Sequence, residues 1–373
     1  MKFTINRDQF LKGLTIAAKA IGSKSPIPVM SNVKIDMTSN GLELTGSNTE
    51  LTIKTNIPFQ ISEQEIIRDY QEGSTLVANK FITEIVRRLE GKEVSFEVID
   101  DTIVKISDGK SDFKLNSIKA EEYPDVDLDM QGTHIFMTYN NFKDLVDQTA
   151  FAASTRDQRP ILTALNLDCV DGELTATATD SARLAKKSLS LSEKVNFSAN
   201  VPASIMSEVA HLLDDIENID MFISDKKVVF QLGQTIVVTR LINGEYPNTR
   251  HIIPHGCSYF LEANSQELIA AMERVSLLSV DRENVVKLVM TEDSVEVSTK
   301  SSQVGSATEK ISTFQYTGDR LEVSFNSLYV MQAIKAAKCE DVTIAFLGEM
   351  KPFIIKNVKD ESHVQLVTPV RTY

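Results

Sequence analysis

His251 and His255, four residues apart, are the nearest this chain comes to the spacing of a helical metal-ligand pair. Pro254 between them and Gly256 beyond break the helix such a pair needs, so no metal is expected there. The other histidines, His134, His211 and His363, stand in unlike contexts without ligand spacing. Cys169, Cys257 and Cys339 are an odd set of thiols matching no zinc or redox motif, which points to reduced cysteines in a cytosolic setting. Asp100 and Asp101 could form an acid/base dyad, but they sit between two strand patterns, where a hairpin turn accounts for them better. No G-x-S-x-G, H-E-x-x-H, G-x-x-x-x-G-K-[ST] or G-x-G-x-x-G occurs. Catalysis is therefore not expected, nor is a cofactor.

Charge is the other chemistry on offer. A net charge of −13 argues against a nucleic-acid partner over most of the surface. Its distribution tells a second story. The first expected helix, residues 7–24, carries Arg7, Lys12, Lys19 and Lys24 against Asp8. The second carries Lys80, Arg87 and Arg88 against Glu84 and Glu90, and the last carries Lys335 and Lys338. Acid gathers elsewhere, in "EEYPDVDLD" and "LLDDIENID". Basic helices on an acidic body would let DNA approach one surface only; an ordinary solvated helix face gives the same pattern.

The elements that position these residues repeat. Phe3, Phe136 and Phe260 each open a run that reads as strand, amphipathic helix and turn-punctuated strands, and they lie about 133 and about 124 residues apart. The tripeptide "EYP" recurs at Tyr123 and Tyr246, each time ahead of a new repeat. Every repeat has a second half built like its first. In one, Phe81, Ile82, Ile85, Val86 and Leu89 keep helical spacing before Ser95, Phe96, Glu97 and Val98 alternate as a strand. The expectation is an α+β chain of three similar domains, 1–126, 127–254 and 255–373, each of two β-α-β-β-β units. The opening "MKFTINRDQFLKG" has charges throughout and no apolar signal core, and no run reaches membrane-spanning length, so a cytoplasmic location without membrane contact is expected.

"SPIPVMSNVKI", "LTGSNTEL", "TATDSARLA", "INGEYPNTRHIIP", "SFNSLYVMQAI" and the terminal "TPVRTY" resemble the bacterial sliding clamps, the beta subunits of DNA polymerase III, over the whole chain. The resemblance implies a head-to-tail dimeric ring with helices lining the hole and sheets outside. It implies a processivity factor that encircles double-stranded DNA without reading its sequence. The implied clients are the replicative polymerase, the clamp loader, repair and translesion polymerases, and ligase or mismatch-repair proteins, held through short linear peptides. Matching motif to motif, their pocket falls between the second and third domains. It takes in Ile161, Leu162, Thr179, Ser181, Arg183, Leu184, Pro247, His251, Ile252, Met350 and Pro352, and is closed by Leu366, Thr368, Pro369, Val370 and Arg371. Apolar walls suit a Leu or Phe anchor, with Arg183 and Thr179 to orient the peptide. Ala182 departs from the pattern, since many relatives carry His there.

The family's DNA-touching loops match Lys24 and Arg156, to which the charge pattern adds Arg7, Lys12, Arg87, Arg88, Lys335 and Lys338. The ring-closing edges match Phe113 and Leu115 on one side and Leu277 and Leu278 on the other. Relatives often place an acidic run on the second edge; here "SSQVGSATEK" offers only Glu309 and Lys310. Size is consistent with a ring. Domains of about 124 residues are spheres roughly 35 Å across; three in a triangle leave a hole of about 5 Å, six in a hexagon about 35 Å. Two rivals remain at this point, an enzyme working in a groove between repeats and an open interaction scaffold.

Overall fold

The computed structural model describes residues 1–22, 27–100, 102–156, 158–214, 216–279 and 284–371. The chain builds the same unit six times, strand, helix, then three strands. The N-terminal pair starts with Lys2–Asn6, α1 (Arg7–Ala18), Asn32–Thr38, Gly41–Ser47 and Leu51–Ile57. It continues with Gly73–Ala78, α2 (Asn79–Arg88), Glu93–Asp100, Ile103–Ser107 and Asp112–Ile118. The central pair is Thr133–Thr138, α3 (Tyr139–Asp147), Ala164–Val170, Glu173–Thr179 and Arg183–Ser190, then Phe197–Pro202, α4 (Ala203–Ala210), Asn218–Ile223, Lys227–Leu232 and Thr235–Arg240. The last pair is Tyr259–Asn264, α5 (Ser265–Ser276), Val285–Met290, Val295–Ser301 and Gly305–Ile311, then Leu321–Asn326, α6 (Ser327–Ala337), Asp341–Phe346, Phe353–Asn357 and Asp360–Val367. The α+β class and the repeated unit are as the sequence led one to expect.

Helix starts are encoded locally. Asn6 accepts from the amides of Asp8 and Gln9, Asn264 from those of Gln266 and Glu267, and Asn326 from those of Leu328 and Tyr329. Each side chain satisfies donors that the helix cannot. Two expectations need correcting. The first helix stops at Ala18 rather than reaching Lys24: the amides of Lys19, Ala20 and Ile21 reach back three residues, to Ile16, Ala17 and Ala18, and Gly22 follows. The Phe register also slips. Phe3 is wholly buried, whereas Phe136 and Phe260 are 44% and 40% exposed. Counting back from the helix starts, the equivalents of Phe3 are Ile135 and Leu261, both buried. A shift of one residue in a strand turns every side chain to the other face.

Packing divides the chain into two compact units, Met1–Thr138 with Leu212–Leu241, and Tyr139–His211 with Ile242–Tyr373. The division crosses the central repeat because sheets run from one repeat into the next. In the first unit a thirteen-stranded sheet continues from Leu51–Ile57 into Thr235–Arg240, with Ile53 opposite Val237. Its core holds Phe3, Phe10 and Phe96, the first and last stacked at 4.8 Å. In the second unit a nine-stranded sheet continues from Arg183–Ser190 into Asp360–Val367, with Leu184 opposite Leu366 and Lys187 opposite His363. Phe325, Phe346 and Phe353 anchor the C-terminal core there. Among the described residues no helix is long and apolar enough to cross a membrane.

Candidate interaction sites

The second unit brings most of the expected pocket residues to one end of the seam between Arg183–Ser190 and Asp360–Val367. Pairing sets Leu184 against Leu366 and Arg183 against Val367. Leu184 and Leu366 are buried in a small cluster with Ala345 and Ile354, flanked by Ile253 and Cys257. They form a floor. Of the other expected lining residues, Ile252, next in sequence to Ile253, and Met350 are 46% and 50% exposed. Pro352, Thr368, Pro369 and Val370 are half-buried, and Pro247, His251, Ser181 and Arg371 are exposed. Ile161 is half-buried near Gly244, while Leu162 is buried in the short helical turn Pro160–Thr163. Apolar surface of this kind, solvated and backed by a packed floor, can receive an aliphatic or aromatic anchor.

Polar groups hold the walls. Thr368 donates both its amide (2.9 Å) and its hydroxyl (2.7 Å) to the Ala182 carbonyl. The Thr179 hydroxyl donates to the Arg183 carbonyl at 2.5 Å, and its amide donates to the Tyr246 hydroxyl at 3.0 Å. Burial pushes the Tyr246 phenol up to about 12, so it stays protonated. The Arg183 guanidinium is held within the chain: Nε donates to Asp180 at 3.0 Å, Nη1 donates to Gln332, and the rings of Tyr329 and Phe151 lie 4.3 and 5.4 Å from its carbon. Asp180, Tyr246, Phe151, Tyr329 and Gln332 were not anticipated as part of this site. Asp180, Tyr246, Tyr329 and Gln332 do fall inside the motifs "TATDSARLA", "INGEYPNTRHIIP" and "SFNSLYVMQAI", whereas Phe151 falls in none of them.

The expected DNA-facing cations are less available than the sequence suggests. Arg7 pairs with Asp8 and donates to the Leu89 carbonyl at 2.8 Å. Arg87 and Arg88 both pair with Glu84. Lys335 reaches Glu273 at 3.4 Å. Lys338 caps α6 in the left-handed conformation and pairs with Asp144 at 2.5 Å and Asp147 at 3.5 Å. Burial lowers its pKa, but the two carboxylates outweigh that and hold it raised. Lys12 and Arg156 are exposed. Lys24 lies outside the described residues, as does Asp101 of the Asp100 turn.

The segments expected to close the ring differ in how their backbones are paired. Asp112–Ile118 pairs with Ile103–Ser107 along residues 112–116, but with Gly73–Ala78 only at Ser117 and Ile118. Phe113 is 38% exposed on it and Leu115 half-buried. Gly305–Ile311 ends its four-stranded sheet. Leu277, just past α5, is 79% exposed, and Leu278 half-buried. Glu309 pairs with Arg274, which lowers its pKa, and Lys310 pairs with Glu296. Among the described residues no cluster of His, Cys, Asp or Glu could hold a metal ion, and His251 and His255 lie outside any helix.

This geometry has close relatives. Family models described as the N-terminal, central and C-terminal domains of the DNA polymerase III beta subunit match residues 1–127, 137–248 and 250–371. The chain is 36% identical over 376 residues to the beta sliding clamp of Staphylococcus epidermidis, and 35% identical over 378 to that of Bacillus subtilis, covering 100% of each chain. The crystal structure of the Bacillus subtilis sliding clamp superposes with a TM-score of 0.94 at 35% identity, covering 100% of both chains. The beta chain of Streptococcus pneumoniae gives 0.94 at 34%, also over 100% of both. The chain thus belongs to the DNA polymerase III beta subunit family, the bacterial beta sliding clamps, which are non-catalytic processivity factors of DNA replication with a three-domain α+β fold.

Proposed function

We propose that two copies of this chain, each of three domains (1–126, 127–254 and 255–373), close head to tail into a ring around duplex DNA in the bacterial cytoplasm. Helices face the hole and sheets form the rim. The observation that carries this reading is the pair of part-unpaired edges, 112–116 in the first repeat and Gly305–Ile311 in the last, each beside exposed apolar side chains. Joining them across chains satisfies their backbone groups and leaves no free end. Retention is then topological. The cations on the helices are mostly tied to neighbouring carboxylates, which suits weak, exchangeable contact with phosphates.

The pocket above Leu184 and Leu366 holds short peptides of the replicative polymerase, the clamp loader and other DNA-processing proteins. Tethering raises the polymerase's effective concentration at its template, so dissociation becomes a brief excursion. Ile252 and Met350 grip the apolar anchor. Protein loaded on circular DNA is expected to stay until the circle is cut, then slide off. Departure from the intact circle, or a monomeric mass in solution, would point to an open scaffold instead.

A further inference from the structure

We infer that Arg183 is a positioning residue of the candidate pocket, a strut from the turn 179–183 to α6, and not a hydrogen-bond donor to the docked peptide. The inference rests on the pocket reading proposed above and assigns new roles to Asp180 and Gln332. The side chains of Arg183 and Asp180 are only 10% and 13% exposed. With Nε on Asp180, Nη1 on Gln332 and the Tyr329 ring over the guanidinium, its charge is paired and two of its three nitrogens are committed within the chain. Such a group has little left for a peptide carboxylate or carbonyl.

The same chain supplies a control. The equivalent turn of the N-terminal domain, 47–51, is built alike. Asn48 accepts from the amides of Glu50 and Leu51 at 3.1 and 2.9 Å, as Asp180 accepts from those of Ala182 and Arg183 at 2.9 and 3.1 Å. Thr49 has φ 80° where Ser181 has φ 78°. Leu51 stands opposite Thr239 as Arg183 stands opposite Val367, and it is 3% exposed. This turn therefore folds with a neutral cap and an aliphatic residue. The acid and the arginine exceed what the turn requires, and what they add is the connection to Gln332 and Tyr329 on α6. They occur in the repeat whose strand carries Leu184, in the buried cluster with Leu366 that Ile253 and Cys257 pack against. A strut there fixes the turn that carries the Leu184 floor, so the pocket selects apolar anchors and gains nothing from acidic peptide residues beside Arg183.

The test uses the full-length protein and a labelled synthetic peptide with Leu and Phe anchors, read by fluorescence anisotropy. Asp180→Asn keeps the turn caps, as Asn48 does, but loosens the strut; Gln332→Ala removes its far end. Each should weaken the peptide about tenfold, the scale of one hydrogen bond to a charged group. Arg183→Lys should not rescue, because an ammonium cannot reproduce the stacked fork. Adding Asp180→Asn to Arg183→Leu should cost nothing further, since the two act as one unit. Asn48→Asp, in the other turn, should leave affinity unchanged. Hydrogen exchange should rise in residues 179–184 with an unchanged melting temperature, which general unfolding would not produce. If Arg183 touched the peptide, freeing it by Asp180→Asn would preserve or tighten binding, and that result overturns the strut. Wild-type binding abolished by Ile252→Asp but indifferent to Asp180→Asn and Gln332→Ala overturns the strut alone. No binding by the wild type overturns the pocket and the strut together.

Discussion

His363 shows how a single residue can make a junction sensitive to pH. It is 2% exposed, opposite Lys187 across the seam between central and C-terminal domains. Its Nδ1 meets Asp360 at 3.2 Å, while its buried Nε2 has no hydrogen-bond partner among the described residues. Burial lowers the imidazole pKa; Asp360 opposes that and Lys187 reinforces it. With the folded value below the unfolded one, the neutral ring's contribution is complete above about pH 6.5 and declines as pH falls below it. Asp360 adds a second, more acidic loss. Burial would raise its pKa, but hydrogen bonds from Ser362 and Lys187 hold it well below the carboxylate range. Its contribution is present above about pH 3.9 and disappears as the acid range is entered. Calorimetry of wild type and His363→Gln between about pH 7.5 and 5.5 should show a steeper fall in Tm for the wild type. Parallel curves would remove His363 as the cause.

At the scale of elements, close approach and free edges decide what substitution does. α1 lies so near the strand Gly41–Ser47 that a Cβ on Gly46 would sit 2.1 Å from the Ala17 carbonyl oxygen. Gly46→Ala should therefore destabilise by about 3 kcal/mol, the upper end for overpacking, read from denaturant midpoints. The edge residues predict the opposite pairing of effects. Leu277, largely exposed, stabilises little within its own chain. Leu277→Asp should leave the chain folded by circular dichroism yet convert dimers to monomers in sedimentation. A surviving dimer would dismiss this edge from ring closure. Helices and strands themselves were readable in the sequence, because their periodicities are local. The strand register around Phe136 and Phe260 was not: a period of two gives no sign of which face meets the core until the helix that covers it is placed.

For the whole molecule, linkage and grip make separable predictions. If retention is topological, Lys12→Glu with Arg156→Glu should slow loading at low salt and flatten its decline as salt is added, because fewer cations are left to steer the phosphates. The lifetime on a closed circle should hardly change. A lifetime on circles that drops in step with loading would mean that contacts, not closure, hold the protein on DNA.

What the sequence by itself determined is everything carried by short-range chemistry: six repeated units and their turns, the absence of metal-ligand and nucleophile spacings, and the motifs shared with a family. What only the tertiary structure decided depends on partners far apart in the chain. The seam that sets Lys187 against His363 and Arg183 within reach of Gln332 joins segments about 150 residues or more apart, closed at a loop entropy no local pattern records. The same holds for cations that looked free: Lys338 reads as a basic helix end until α3 brings Asp144 and Asp147 to it. Charge is written in the sequence, but its neutralisation requires proximity, and proximity is a property of the fold.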